Sequence, residues 1–402
     1  MRSSLYGLEF AGAAWLTAGL LALVPSSALA QANAPVQPVP ASPAVEPPAA
    51  PEALPAPPAG PEPPLAPEPP APAKTPIDVE VGGGMILWYY QPLQDPDSGP
   101  AKNNFEIFEA RLRLDARFGR YRVHITPRFR DTKERAFFPG EGWVEEAYAA
   151  ALLGPVTVKL GKVYAHFGKF WDNSWYGNAQ QYDGLKLDLN HGLSVEGVFN
   201  AGEPFSLNYW LQYFIIDGTT SYAQPNRDTQ AQLDIPGAHR RNQLFARAEP
   251  VIQLGGDMKL TLGASAMYAQ ADIPTLPDEQ DVGRVAADVT FNAGGLTAWA
   301  EYAQQFGRHV TEFPAPGVSS DDNRYVMLGV EYRYDWLTAR YNFNYGDYHE
   351  VDYTETRHIP GVAALLDDHL TLLLELVFAN ATRGDDSILL DNSVNLTVQI
   401  NF

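Results

Sequence analysis

The chain has 402 residues, no cysteine and a formal net charge of −20. An acidic balance of that size argues against a nucleic-acid partner, and the lack of thiols excludes disulfides and cysteine-ligated metal. Twenty Tyr, nineteen Phe and eight Trp suit the aromatic girdles of a protein held between two layers of water.

The first 75 residues are not part of the fold. Arg2 opens a short basic region, Ala11 to Val24 is apolar, and Ala28-Leu29-Ala30 supplies a small-x-small pattern before Gln31. Residues 1–30 therefore read as a cleaved secretory signal peptide. A membrane anchor is the alternative, but the stretch is short for the about 20 residues a bilayer core takes. Residues 31–75 are almost entirely Pro, Ala, Glu and Val. Such a segment cannot bury a core and is expected to be a disordered, extended periplasmic tether. Two roles stay open for it, plain spacer or a reach to peptidoglycan.

Residues 76–402 hold no run of 18 apolar residues, so no helix here is built to span a bilayer. They alternate instead. Phe108, Ala110, Leu112, Leu114, Ala116 and Phe118 share one side of a strand, and Glu109, Arg111, Arg113, Asp115 and Arg117 the other. Sixteen strand candidates follow from such patterns. The first, Ile77 to Gln91, contains Gly82-Gly83-Gly84, which marks a bulge or bend, and ends in Trp88-Tyr89-Tyr90, which suits an outer girdle. The second, Glu106 to Phe118, turns at Gly119-Arg120 into the third, Tyr121 to Arg130. The fourth, Trp143 to Leu152, meets the fifth, Val156 to Val163, at Gly154-Pro155. The sixth, Tyr182 to Leu189, turns at Asn190-His191-Gly192 into the seventh, Leu193 to Asn200. The eighth is Leu207 to Ile216. The ninth and tenth, Gln243 to Val251 and Met258 to Ala269, flank Gly255-Gly256. The eleventh and twelfth, Arg284 to Asn292 and Leu296 to Gln304, flank Gly294-Gly295. The thirteenth and fourteenth, Arg324 to Tyr334 and Trp336 to Tyr345, meet at Asp335. The fifteenth is His369 to Phe378 and the last Ser393 to Phe402.

No second layer covers the apolar sides, so lipid is the cover that the pattern implies. The fold class is all-β, a transmembrane antiparallel β-barrel of sixteen strands, with fourteen and eighteen as the neighbouring alternatives. Seven connections read as short turns and eight as longer loops, among them Asp217 to Arg241, Gln304 to Asn323 and Asp347 to Asp368. Short turns at one end and long loops at the other are the habit of outer-membrane barrels. An even count puts both termini at the short-turn, periplasmic end. The last strand, Val394-x-Leu396-x-Val398-x-Ile400-x-Phe402, resembles the terminal strand of bacterial outer-membrane proteins, where the final aromatic belongs to the signal for the barrel-assembly machinery. The expected location is the outer membrane of a Gram-negative bacterium, among phospholipid and lipopolysaccharide. A water-soluble β-sandwich is the reading this displaces.

Positive charge is concentrated early. Residues 101–189 hold fourteen Lys/Arg against eleven Asp/Glu, a net of +3, so the rest carries −23. Parity puts Arg111, Arg113, Arg117, Arg122, Arg128 and Arg130 inside, with Lys159 and Lys186 as neighbours. Guanidinium binds oxyanions by two parallel hydrogen bonds, so an anion-attracting wall is one reading. The other is that these arginines pair with Glu109, Asp115, Glu146, Asp183 and Asp188 and only make the lumen soluble. Asp321-Asp322, Asp367-Asp368 and Asp385-Asp386 fall near loops, as solvated charge or as holders of divalent cations beside lipopolysaccharide.

Val144-Glu145-Glu146-Ala147-Tyr148, then Val158-Lys159-Leu160-Gly161-Lys162, then His166-Phe167-Gly168 resemble the phosphate-selective porin O and P family. His166 stands where that family often has Pro. The resemblance covers Phe105 to Leu189 and implies a sixteen-stranded porin, often a homotrimer, whose third long loop folds inward to narrow the pore. By strand count that loop is Tyr164 to Gln181, with His166, Lys169, Trp171, Asp172, Trp175 and Tyr176 as constriction candidates; an ordinary surface loop is the alternative. Its function would be passive diffusion of small hydrophilic solutes, with anion or phosphate preference as one form. The competing role is a structural barrel anchored to the cell wall by its tail. No His-x-x-x-His, Gly-x-Ser-x-Gly or phosphate-cradling Gly loop is present, so neither enzyme activity nor a cofactor or metal is expected.

Overall fold

Alternation of the kind just described produces seventeen β-strands in the computed structural model. The described residues are 77–93, 104–129, 142–169, 189–200, 202, 204–217, 239–272, 279–311, 318–349, 352–389 and 392–402. The expected signal peptide and tether lie outside them. The strands are β1 (Ile77–Pro92), β2 (Asn104–Phe118), β3 (Tyr121–Phe129), β4 (Gly142–Leu153), β5 (Val156–Tyr164) and β6 (Leu189–Asn200). Next come β7 (Phe205–Asp217), β8 (His239–Gly255), β9 (Met258–Asp272), β10 (Gln280–Ala293), β11 (Leu296–Thr311) and β12 (Val318–Tyr334). The chain ends with β13 (Leu337–Tyr348), β14 (Tyr353–Leu365), β15 (Leu370–Arg383), β16 (Asp386–Leu389) and β17 (Ser393–Asn401).

From β1 to β16 each strand pairs antiparallel with the next, and β17 returns to β1, from Gly84↔Asn401 to Pro92↔Ser393. β16 and β17 are two pieces of one wall strand, because β15 pairs first with β16 and then with β17. Across the break, Asn392 Oδ1 accepts the Ala379 N–H at 2.7 Å. Sixteen wall strands therefore close on themselves, which satisfies the backbone that lipid could not and leaves no exposed sheet edge where they pair.

The closing contact explains the glycine run. Phe402 and Gly83 exchange N–H···O=C bonds of 3.0 and 2.9 Å. A Cβ on Gly83 would lie 2.7 Å from the Phe402 ring and 2.5 Å from the Arg111 carbonyl oxygen. The glycines are a seat for the last residue and not the bend expected of them. The irregularity of β1–β2 lies higher, at Ile86/Leu87. It makes Phe108 the extra residue and turns it inward against Ile86 and Trp88, away from the outward side it should have shared with Leu112. Trp88 and Tyr90 also leave the expected outer girdle: Trp88 is buried and donates its indole N–H to Asn395 at 3.1 Å, and Tyr90 packs on that inner cluster.

The count of sixteen survives two compensating corrections. Asn190, His191 and Gly192 are not a turn; they lie within β6, paired with Asp217, Ile216 and Phe214. The segment 182–188 lies outside the described residues. Conversely, β14 fills what had read as a loop, and β11 and β12 leave only 312–317 between them. Connections at one end all span two to four residues, while at the other they range from 165–188 down to 384–385. Asp321-Asp322 thus sits in β12, with Asp322 held by Arg324 at 3.0 Å. Asp367-Asp368 sits on a short turn, where Asp367 Oδ1 accepts the N–H groups of His369 and Leu370 at 2.7 and 2.8 Å.

Outward positions are apolar and bare: Leu160, Leu211 and Ile215 are 64, 53 and 64% exposed. Their inward neighbours Ser194, Gln212 and Phe214 are buried. Covering the outer side with hydrocarbon removes those side chains from water at roughly 25 cal/mol per Å².

Candidate functional site

One extra residue shapes the basic wall. Pro127 has no N–H to offer β4, and the β3–β4 register slips there, from Thr126↔Glu146 to Pro127↔Val144. Glu145 is the residue left over, so Glu145 and Glu146 both turn into the lumen instead of alternating. Arg128 then bridges two strands, bound to Glu109 and, at 2.6 Å, to Glu145. Tyr164 also hydrogen-bonds Glu145. Arg111 meets Glu109 at 2.6 Å.

Lower on the same wall, Asp115 takes Arg122 and, at 3.1 Å, His124 Nδ1. His124 Nε2 lies 2.8 Å from Thr126 Oγ1. Its ring stacks on Tyr148 at 4.9 Å, and Lys159 Nζ sits 4.9 Å from the centre of the Tyr148 ring. Lys159 in turn binds Glu196 at 2.7 Å. Arg113 is half exposed and pairs loosely, with Glu80 at 3.3 Å and Asp115 at 3.8 Å. Arg117 lies between Asp78 and Arg122 in the register and forms no ion pair among the described residues.

The three fragments that suggested a porin family converge here. Gly161, in β5, lies opposite Tyr148, and a Cβ on it would stand 2.2 Å from the Ala147 carbonyl oxygen. That glycine lets β5 approach β4 beneath the tyrosine. Past Tyr164 the chain leaves the wall and crosses the lumen. His166 donates its N–H to Gln212 of β7 at 2.7 Å and stacks on Trp210 at 4.9 Å. Phe167 is buried among Phe214, Phe245 and Met267. Gly168 donates its N–H to Ser265 of β9 at 3.1 Å, and Lys169 donates its own to Glu301 of β11 at 2.5 Å. Ser265 is itself fixed by Arg247 at 2.9 Å, and Arg247 by Asp288 at 2.7 Å and Glu249 at 2.9 Å.

Residues 165–169 are therefore a strap held by side chains of three distant strands. Gly168 has φ +60°, and a Cβ there would be 2.0 Å from Glu301 Oε1, so the strap needs glycine at that point. Of the expected constriction residues, His166 and Lys169 lie on it; Trp171, Asp172, Trp175 and Tyr176 lie outside the described residues, as do Arg130 and Lys186. Gln212, Ser265, Arg247 and Glu301 had not been singled out. Parity along their strands was the available signal, since each is a polar residue on the inward side.

The sequence matches no protein-family model and no curated relative. Solved structures do align over 81% of the chain. They include OmpF of Salmonella typhi in complex with daunomycin (TM-score 0.60, 11% identity, 97% of that chain) and the outer-membrane channel DcaP of Acinetobacter baumannii (0.57, 15%, 97%). An anion-selective porin from Comamonas acidovorans aligns over its whole length (0.56, 11%, 100%). At such low identity the likeness gives the fold alone, a closed sixteen-stranded antiparallel barrel.

Proposed function

We propose that this barrel is a passive channel for small hydrophilic solutes in the outer membrane of a Gram-negative bacterium, exported by residues 1–30 and trailing residues 31–75 into the periplasm. The observation that carries the reading is the strap: a glycine-dependent segment pinned across a polar lumen inside an apolar shell narrows a passage without sealing the wall. The porins among its structural neighbours support the same reading.

Ion preference on this reading is modest. Arg111, Arg122 and Arg128 each lie against a carboxylate, which supports a wall of cross-strand pairs over an uncompensated anion ladder. Among the candidate arginines in the described residues, any preference for anions then falls to Arg113 and Arg117. A trimer like that of the resembled family is compatible with the apolar exterior.

Liposome swelling tests the proposal. Vesicles carrying the full chain should swell rapidly in isotonic glycine or potassium chloride; swelling no faster than empty vesicles contradicts it. In a salt gradient, Arg113→Gln with Arg117→Gln should move the reversal potential toward cation preference. Arg111→Gln, by contrast, should move it little.

A further inference from the structure

The seam between the last strand and the first closes only part of the way down. β17 pairs with β1 from Pro92 to Gly84, and Phe402 then exchanges backbone bonds with Gly83. β1 runs on for six residues, Ile77 to Gly82, paired with β2 on one side and with none of the described residues on the other. Among the described residues, no other strand at the short-turn end overruns its neighbour by more than three, the step of β6 past β5 and of β8 past β7. Accessibility marks the same limit. Ile77 to Val81 are exposed on both sides of the strand, whereas from Gly82 to Trp88 buried and half-buried residues alternate.

Backbone hydrogen bonding alternates in direction along an antiparallel strand. Gly83 directs its N–H and C=O to Phe402, so Val81, Val79 and Ile77 aim theirs to that same side, below the point where β17 stops. An open edge of this kind is a template for one more strand. The side chains decide which strand fits. Ile77, Val79 and Val81 face outward, 67, 61 and 59% exposed, while Asp78 and Glu80 face the other way. Arg113, one strand further in, reaches Glu80 at 3.3 Å and leaves it half exposed. A second copy of the chain does not fit. Every register that keeps the apolar sides together sets Asp78 or Glu80 against another acid, and like charges directly opposite are destabilising. Residues 31–75 do not fit either: they hold one Lys, no Arg, and prolines too dense to form a ladder.

We propose that Ile77–Gly82 is an open β-edge that accepts an extended segment of a periplasmic partner protein, one in which apolar residues alternate with Lys or Arg. Its backbone completes the ladder, its apolar residues extend the outward side, and its cations lie beside Asp78 and Glu80. The inference goes beyond the channel reading and takes from it only that the short-turn end faces the periplasm. Binding at this edge is measured without conduction, so the two stand or fall separately.

The test titrates labelled synthetic peptides against the full chain in detergent, read by fluorescence anisotropy. Lys-Val-Arg-Val-Lys-Val should bind about tenfold more tightly than the shuffled Lys-Lys-Arg-Val-Val-Val, which has the same charge but no alternation. Val79→Pro removes an edge N–H without touching the β2 ladder. It should weaken binding about tenfold and leave the heat-modifiable fold intact. Asp78→Lys with Glu80→Lys should reverse the preference, toward Glu-Val-Asp-Val-Glu-Val. In the unmutated chain, bound peptide should slow hydrogen exchange at the Ile77, Val79 and Val81 amides. No binding, equal binding of the alternating and shuffled peptides, binding indifferent to Val79→Pro, or unchanged exchange at those three amides overturns the proposal.

Discussion

Gly168 and Glu301 hold the strap at a point where a single atom decides. Gly168→Val would put a branched Cβ at φ +60° and against the Glu301 carboxylate, a cost of about 1–3 kcal/mol for the backbone alone. The expected result is a barrel that still folds but carries a loosened strap, read as larger and noisier single-channel current; current identical to wild type contradicts the latch. Glu301→Gln keeps an oxygen for the Lys169 N–H and should behave near wild type, whereas Glu301→Ala should resemble Gly168→Val. At the seam, Gly83→Leu would strike both the Phe402 ring and the Arg111 carbonyl. A lower heat-modifiable folded fraction on gels is expected there, and full folding would show that the seat is not needed. Parity put Arg111, Arg122 and Arg128 on the polar side of their strands, where each lies against a carboxylate. It failed at Phe108, and it has no way to bring the adjacent Glu145 and Glu146 to one side, because a bulge adds one residue and so reverses every side chain on one side of it. Nothing in the local residue types announces such a slip except Pro127.

At the scale of elements, the two misread strands share a cause. Asn190-His191-Gly192 has turn chemistry, yet Gly192 is required because a Cβ would lie 2.1 Å from the Tyr213 carbonyl oxygen, beside the slip at His191/Gly192. In β14, Pro360 reads as a breaker, and its missing N–H does leave a gap in the pairing with β15 between His358↔Phe378 and Gly361↔Glu375. The strand persists because its β13 side is unbroken, Tyr341↔Pro360 included. Hydrogen exchange checks both corrections: amides of 189–200 and 353–365 should be protected like those of β9, and rapid exchange in either would restore the loop. The two sides of β7 give a second check. Leu211→Arg places charge in lipid and should cost about 2–4 kcal/mol near the bilayer midplane, measured by urea unfolding from vesicles. Gln212→Arg, on the lumen side, should avoid that lipid penalty while disturbing the strap. Equal destabilisation by lipid transfer would mean that the sides are misassigned.

For the whole molecule, the outward apolar shell, the charged interior and the closed ladder are consequences of one period-two pattern. That pattern, with the terminal Phe402, was enough to read the barrel from sequence. What it could not supply was the partner of each arginine or the anchors of the strap, since both join residues brought together only by closure: Gly168 and Ser265 are 97 positions apart, and Lys169 and Glu301 are 132. The net charge of −20 likewise says little about the lumen, where Arg111, Lys159, Arg247 and Arg340 each have a carboxylate beside them. Reconstitution of the purified full chain in a planar bilayer is the most direct measurement of the claim that solvent fills this cylinder. Stepwise, ohmic current increments of uniform size are predicted. A protein that inserts and folds as a barrel yet passes no ions at any voltage would contradict it.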